Sequence, residues 1–403
     1  VNRPAANPWL HRFAVVTALA TLGLIGLGGL VTSKEAGMAV PDWPTSYGYN
    51  MFFFPVSQWT GGIFYEHTHR LWASLVGLLT AMLAGWIWAR ETGGWPRRLG
   101  LAAIIATLGL MGVRTQTMFV ALALLALGVI GFSFTRLKND ARPVRWWAAI
   151  AFSAVLIQGV LGGLRVTALK DQIGIFHGTL AQLFFCLICS LALVTSGRWQ
   201  NALAVPVILN VNPALRRLLT GLTAAILFQL MLGATMRHQH AGLAIPDFPL
   251  AYGKIWPPLD AAFVDSINRQ RLDSLGYNAI TAFQISLQLA HRLMALVIVL
   301  LVSRAAWQTQ RQARGTWLAR AGKIWLGLIL LQATLGAATI WSNKAADIAT
   351  AHVVLGAASL AFGVLVNIVI FKFSVEPGKS LVHAAPDARV TPRSPSKSAL
   401  TTI

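Results

Sequence analysis

EHTHRLWASLVGLL, residues 66–79, and QLAHRLMALVIVLL, residues 288–301, follow one plan: a polar cluster ending in His-Arg opens an apolar run. Each run reads as a lipid-facing helix. Ionisable groups are costly inside a bilayer and mark function where they occur. The plan therefore raises two questions: how many such helices the chain has, and why the polar cluster is doubled.

Composition answers the first. The chain has 403 residues, 56% hydrophobic and 11% charged, whereas a soluble domain carries roughly 25% charged residues. This is the composition of an all-α polytopic membrane protein. The net charge is +20, from 33 Lys and Arg against 13 Asp and Glu. Nucleic-acid binding does not follow, because the chain lacks any aromatic-basic module; cytoplasmic loops of membrane proteins collect Lys and Arg. Apolar segments mark spans at 13–33, 67–89, 99–113, 117–135, 146–166, 176–196, 216–236, 284–303, 324–341 and 349–371, each to be judged against roughly 20 residues per crossing. The first run follows no cleavable signal pattern. Placing the N-terminus inside gathers most Arg and Lys on one face, from Arg90 to Lys372, and leaves Lys34, Arg165, Lys170 and Arg237 outside. The short pair 99–113 and 117–135 must cross twice or not at all, since a single crossing would invert every later loop. Two crossings are expected. Cys186 and Cys189, three apart inside a span, read as small buried hydrophobes, and bridge geometry does not suit adjacent turns of one helix.

Four matches in the same order reveal a duplication. Gly37–Gly48 (GMAVPDWPTSYG) returns as Gly242–Gly253 (GLAIPDFPLAYG), Glu66–Leu71 as Gln288–Leu293, Gln158–Gly163 as Gln332–Ala337, and His177 as His352. Each half thus has a first helix, an outer loop with Pro-Asp-x-Pro, a helix opening on histidine, a third helix, and a fourth opening on histidine. An even number of helices per half orients both halves alike, about an axis along the membrane normal. His69 and His177 are 108 positions apart and His291 and His352 only 61, so 99–135 is read as a helical hairpin inserted into the first half. The expected architecture is two tandem pseudo-symmetric four-helix bundles, at 13–197 and 216–371, with eight core transmembrane helices plus that hairpin. Residues 1–12 form a cytoplasmic N-terminus, 198–215 a cytoplasmic linker and 372–403 a disordered cytoplasmic tail.

The four repeated histidines sit at the outer ends of their spans, one pair per bundle. Neutral imidazole is a good iron ligand, and two from facing helices can hold a haem from both sides. Zinc fits less well, since no third ligand recurs in both halves. His67 points to another side of its helix; His238 and His240 belong to the outer loop, and His11 and His383 to the terminal segments, all read as ordinary interfacial or solvated residues. Arg70 and Arg292 follow the repeated histidines and are candidate partners for haem propionates, against the competing reading of interface snorkelling. Asp42 and Asp247 read as turn caps, and Trp43 and Phe248 as candidates to lie over a porphyrin face. One difference stands out: Glu66 is replaced by Gln288. An amide cannot exchange a proton at ordinary pH, so one site has an acid–base group that the other lacks.

These marks, above all Glu66-His67-Thr68-His69-Arg70, His177, Gln288-Leu289-Ala290-His291-Arg292 and His352, resemble the heme A synthase family from about Phe13 to Phe371. The resemblance implies an oxidoreductase that converts the C8 methyl of haem O, through a hydroxymethyl group, to the formyl group of haem A for terminal cytochrome oxidases. It implies His69 and His177 as axial ligands of the substrate haem O, Glu66 as the catalytic acid–base or charge-stabilising residue, and His291 and His352 as axial ligands of a haem b cofactor. It also implies a bacterial cytoplasmic membrane location with both termini cytoplasmic, an electron acceptor, handover from a haem O synthase on pathway logic, and room for a homo-oligomer. Two features depart from the family: the cysteine pair lies within a span rather than an outer loop, and 99–135 adds to the usual eight helices. A di-haem b-type cytochrome is the alternative, though it gives no reason for the Glu66/Gln288 difference. A transporter would need broken helices near the midplane, whereas the polar groups here gather at the outer ends.

Overall fold

The computed structural model describes residues 6–113, 115–204, 211–274 and 278–373. They form α1 (Pro8–Ser33), α2 (Gly61–Glu91), α3 (Gly94–Met111), α4 (Gln116–Leu137), α5 (Val144–Ala168), α6 (Asp171–Thr195), α7 (Gly197–Ala204), α8 (Pro213–His238), α9 (Ala261–Ser274), α10 (Ala282–Gln312), α11 (Trp317–Trp341) and α12 (Ala346–Phe373). Among the described residues nine helices are long and apolar enough to cross a membrane: all of these except α3, α7 and α9. The chain is an all-α, multi-pass membrane protein, and eight of the ten expected spans fall within one of the helices, while 99–113 runs past the end of α3 and 176–196 past the end of α6.

The repeat begins earlier than the outer loops. Asn7-Pro8 starts α1 and Asn212-Pro213 starts α8. Asn7 Oδ1 accepts from the N–H of Trp9 at 2.9 Å and Leu10 at 3.1 Å, and Asn212 Oδ1 from Ala214 at 2.8 Å. A proline in the first turn has no N–H to leave unpaired, so both helices start on the same cap. In space α1, α2, α5 and α6 close one ring of neighbours, and α8, α10, α11 and α12 close a second. The rings meet through α1 with α12, α6 with α8, and α6 with α12. Small residues allow this approach, as membrane helix packing requires. A Cβ added to Gly29 would lie 3.1 Å from Thr350, and one on Gly26 3.4 Å from Val354. Ile188, Leu222, Ala357 and Leu360 are fully buried in the resulting core.

The insertion packs outside the first ring, α3 along α2 and α4 along α5. Phe119, near the start of α4, meets Trp43 of the first outer loop at 4.9 Å, and Phe132, near its end, meets Trp146 at the start of α5 at 5.6 Å. α4 therefore runs from the end of the first ring that carries the Trp43 loop to the end where α5 starts, with α3 antiparallel beside it. Of the expected pair of passages α4 is long and apolar enough to cross, and α3 falls short of that. At ~1.5 Å per residue, α3 spans roughly 27 Å, close to the ~30 Å of a hydrocarbon core. Other boundaries depart from expectation. α1 starts within the expected N-terminal segment. α7 forms inside the connection expected at 198–215, where Trp199 meets Phe373 at 5.2 Å. α9 is a helix within the second outer loop. Residues 374–403, with His383, lie outside the described residues.

Candidate functional site

Each repeated histidine faces a glycine on the neighbouring helix of its ring. A Cβ added at Gly28 of α1 would lie 3.1 Å from His69, at Gly162 of α5 3.2 Å from His177, at Gly233 of α8 3.2 Å from His291, and at Gly336 of α11 3.1 Å from His352. These separations are below ordinary carbon contact, so the imidazoles take these positions because the facing residue has no side chain. Four residues before three of these glycines stands a glutamine whose Nε2 donates to the histidine's own carbonyl: Gln158 to His177 at 3.2 Å, Gln229 to His291 at 2.9 Å, and Gln332 to His352 at 2.9 Å. The fourth position is Leu24. His69 and His177 lie within electrostatic reach of one another, as do His291 and His352.

The donor set fits a group held between two imidazoles. His352 Nδ1 lies 3.1 Å from the carbonyl oxygen of Gln332, a contact that makes Nδ1 the N–H and leaves Nε2 as the lone-pair nitrogen for iron. The Nδ1 atoms of His69, His177 and His291 are buried without a hydrogen-bond partner among the described residues. Among those residues no group of three or more His, Cys, Asp or Glu could hold a metal ion, so each imidazole pair stands alone as a donor set. Arg165 is within reach of His69 and His177, Arg237 of His352, and the two arginines of each other. Arg237 also crosses between rings, donating to the carbonyl of Gly29 and, at 2.5 Å, to Ser33 Oγ.

The outer loops repeat their hydrogen bonds as closely as their sequence. Asp42 Oδ1 accepts from Tyr47 N–H at 2.6 Å and Oδ2 from Gly48 N–H at 2.8 Å; Asp247 accepts from Tyr252 N–H at 2.7 Å and Gly253 N–H at 2.8 Å. Both aspartates cap turns, as their sequence setting suggested. Burial alone would raise the Asp42 carboxyl. The Gly48 N–H, the Thr45 hydroxyl and the Tyr47 N–H outweigh it and hold Asp42 below the ordinary carboxylate value. Burial pushes the Tyr252 phenol up to about 12. Trp43 lies against Gly163 of α5 as well as Phe119, and Phe248 meets Trp341 at 5.9 Å.

Arg70 and Arg292 fasten these loops. Arg70 donates to the carbonyls of Val40 (2.7 Å), Asp42 (2.6 Å) and Thr45 (3.0 Å); Arg292 donates to those of Ile245 (3.3 Å), Asp247 (2.7 Å) and Leu250 (2.9 Å). These are equivalent positions of the repeat. Glu66 and Gln288 join the same fastening. Val40 N–H donates to Glu66 Oε2 at 2.8 Å, and Ile245 N–H donates to Gln288 Oε1 at 2.6 Å. Glu66 Oε1 pairs with Arg70 at 2.7 Å, and both Glu66 and Gln288 are buried. The residue pair that differs in charge shares one structural task.

The remaining candidates are also placed. His67 is fully buried, its Nδ1 3.2 Å from Ser46 Oγ, between the rings of Phe54 (5.0 Å) and Trp59 (4.6 Å). His238 ends α8 rather than lying in the loop, and packs against Gly174 of α6. His240 takes a left-handed conformation, φ 52°, just after that helix. His11 lies 2.9 Å from the Ala192 carbonyl. Cys186 is buried in the core as a free thiol, with Cys189 packed beside it. The facing glycines, Gln229, Arg165 and Arg237 went unread in the sequence as site residues, although Gln-x-x-x-Gly at 158, 229 and 332 was a legible signal.

Fold and site together define a duplicated, multi-pass membrane protein with one imidazole pair in each four-helix ring. The profile of the COX15-CtaA family, cytochrome oxidase assembly protein, matches residues 114–364, and the chain belongs to this family. It is similar to the heme A synthase of Geobacillus kaustophilus, 24% identical over 389 residues that cover 94% of this chain and 97% of that protein. The heme A synthase of Beijerinckia indica is 25% identical over 364 residues, covering 82% and 83%, and that of a Methylobacterium species 24% over 390, covering 89% and 92%.

Proposed function

We propose that this chain is a heme A synthase, oxidising the C8 methyl of haem O through a hydroxymethyl to a formyl group, in a bacterial cytoplasmic membrane with both termini cytoplasmic. The observation that carries this reading is the imidazole pair in each ring, every imidazole against a glycine, with Glu66 three residues before His69 where Gln288 stands three residues before His291. In this reading His69 and His177 hold the substrate haem O, and His291 and His352 hold haem b. Bound there, haem b supplies a one-electron redox centre. Gln158, Gln229 and Gln332 fix the helix turns that carry three of the four ligands. Converting a methyl to a hydroxymethyl group with oxygen from water releases protons and electrons, and Glu66, paired with Arg70 at 2.7 Å, is the buried carboxylate of the first ring that accepts a proton or stabilises positive charge. Arg165 and Arg237, within reach of the histidines, would hold the carboxylate edge of a bound porphyrin, while Arg70 and Arg292 hold the loops. An electron acceptor and a haem O synthase complete the sequence of events.

One observation favours a second reading, a di-haem b-type cytochrome: Glu66 and Gln288 make the same loop contact, as a purely structural pair would. Co-expression with a haem O synthase, followed by acid extraction and chromatography of the haems, separates the two. Formyl or hydroxymethyl haem that depends on this chain is expected; unchanged haem O would leave only the cytochrome.

A further inference from the structure

The two rings differ at their inner ends. Between α8 and α10 lies a cleft of about 440 Å³ whose lining includes Arg217, Leu218, Gly221, Leu301, Arg304 and Gln308, and no acidic residue. The repeat supplies its own control. The positions equivalent to Leu218 and Gln308 are Phe13 and Trp86, whose rings meet at 6.0 Å and pack on the core. The position equivalent to Gly221 is Val16, and that of Arg304 is Met82. One ring therefore fills with two aromatic rings the space that the other leaves open, floors with Leu and Gly, and rims with two guanidiniums. Gln308 Oε1 is buried there without a hydrogen-bond partner among the described residues. Guanidinium pairs recognise phosphate, and basic clefts between helices at the cytoplasmic face suit anionic headgroups.

We propose that this cleft seats an anionic phospholipid of the inner leaflet. Its phosphate lies between Arg217 and Arg304, its headgroup hydroxyl donates to Gln308, and its acyl chain runs along Leu218, Gly221 and Leu301. Native mass spectrometry of the full chain, equilibrated with phosphatidylglycerol or with phosphatidylcholine of the same chain length, tests it. The unaltered protein should retain phosphatidylglycerol in preference. R217Q/R304Q should lower that retention roughly tenfold or more, since each basic residue near a membrane surface contributes several-fold. L218F/Q308W, which copies the filling of the other ring and keeps both arginines, should abolish it. Equal retention of the two lipids, or undiminished phosphatidylglycerol retention in R217Q/R304Q, overturns the proposal. Arg217 and Arg304 are exposed, so that variant decides the matter even if the filled one fails to fold.

Discussion

A histidine against a glycine is the smallest unit of this molecule that occurs four times. Replacing Gly336 by alanine should strengthen the helix itself, by ~0.5–1 kcal/mol, while forcing His352 to move from a contact of 3.1 Å. G336A is therefore expected to keep its melting temperature and weaken the b-type signal in reduced-minus-oxidised spectra, with G28A leaving that signal intact. An unchanged signal in G336A would mean the glycine is incidental. Glu66 offers the complementary test, because nature has placed glutamine at the equivalent position and kept the loop contact. Glu66→Gln should fold, retain haem and lose at least about a hundredfold in conversion of haem O, the low end of what a positioned acid–base group contributes. Normal conversion would assign Glu66 to the loop alone. The Glu66/Gln288 difference was plain in the sequence, but its surroundings were not. Spacing along a helix puts Arg70, four residues on, beside Glu66, and only tertiary packing brings the Val40 N–H to that face.

Among the elements, membrane helices were located from apolar runs yet consistently underestimated in length. α10 was expected over 284–303 and continues to Gln312. Hydropathy senses where lipid ends, whereas backbone hydrogen bonding carries the helix onward through Arg304 and Arg311 into water. α7 and α9 were not foreseen for the same reason, being polar and short. The hairpin α3–α4 was foreseen from the unequal histidine spacing, and the Trp43–Phe119 contact puts its turn at the outer end. A cysteine introduced at Thr115 should accordingly react with an impermeant maleimide from the outer side of intact cells; labelling only after permeabilisation would place the turn inside. The loops add a pH dependence. The Asp42 carboxyl is held below its ordinary value in the folded loop. Its contribution is fully present above the unfolded value of roughly 3.8 and is lost as pH falls through the lower folded one. Protease cleavage of the 34–60 loop should therefore rise on acidification in that window. Asp42→Asn should be cleaved faster at neutral pH and show less change on acidification; equal cleavage of both proteins at neutral pH would count against the cap.

At the scale of the whole molecule, duplication was the most legible feature, because it left matched words in matched order. The way the halves join was not legible, since no motif marks the α1, α6, α8 and α12 faces. That interface pairs α1 with α12 and α6 with α8, which are equivalent contacts of the repeat, while α6 and α12 meet on the axis between them. Each half thus presents the same kind of face to its neighbour, and the contact is self-complementary. Cutting the chain within 198–215 and producing both pieces together should restore a complex that co-purifies with a b-type spectrum. Either piece alone should pair with itself. Pieces that neither associate nor self-associate would show that the interface depends on the covalent connection.

That self-complementary face bears on descent. A single four-helix chain paired with its own copy must carry the same residue at both equivalent positions, so two identical sites are all that such a dimer can offer. Once the copies share one polypeptide, each position can change alone. Glutamate at 66 and glutamine at 288, phenylalanine at 13 and leucine at 218, are divergences that the fused chain permits and a homodimer does not. Joining the two rings end to end thus made it possible for each to change without the other.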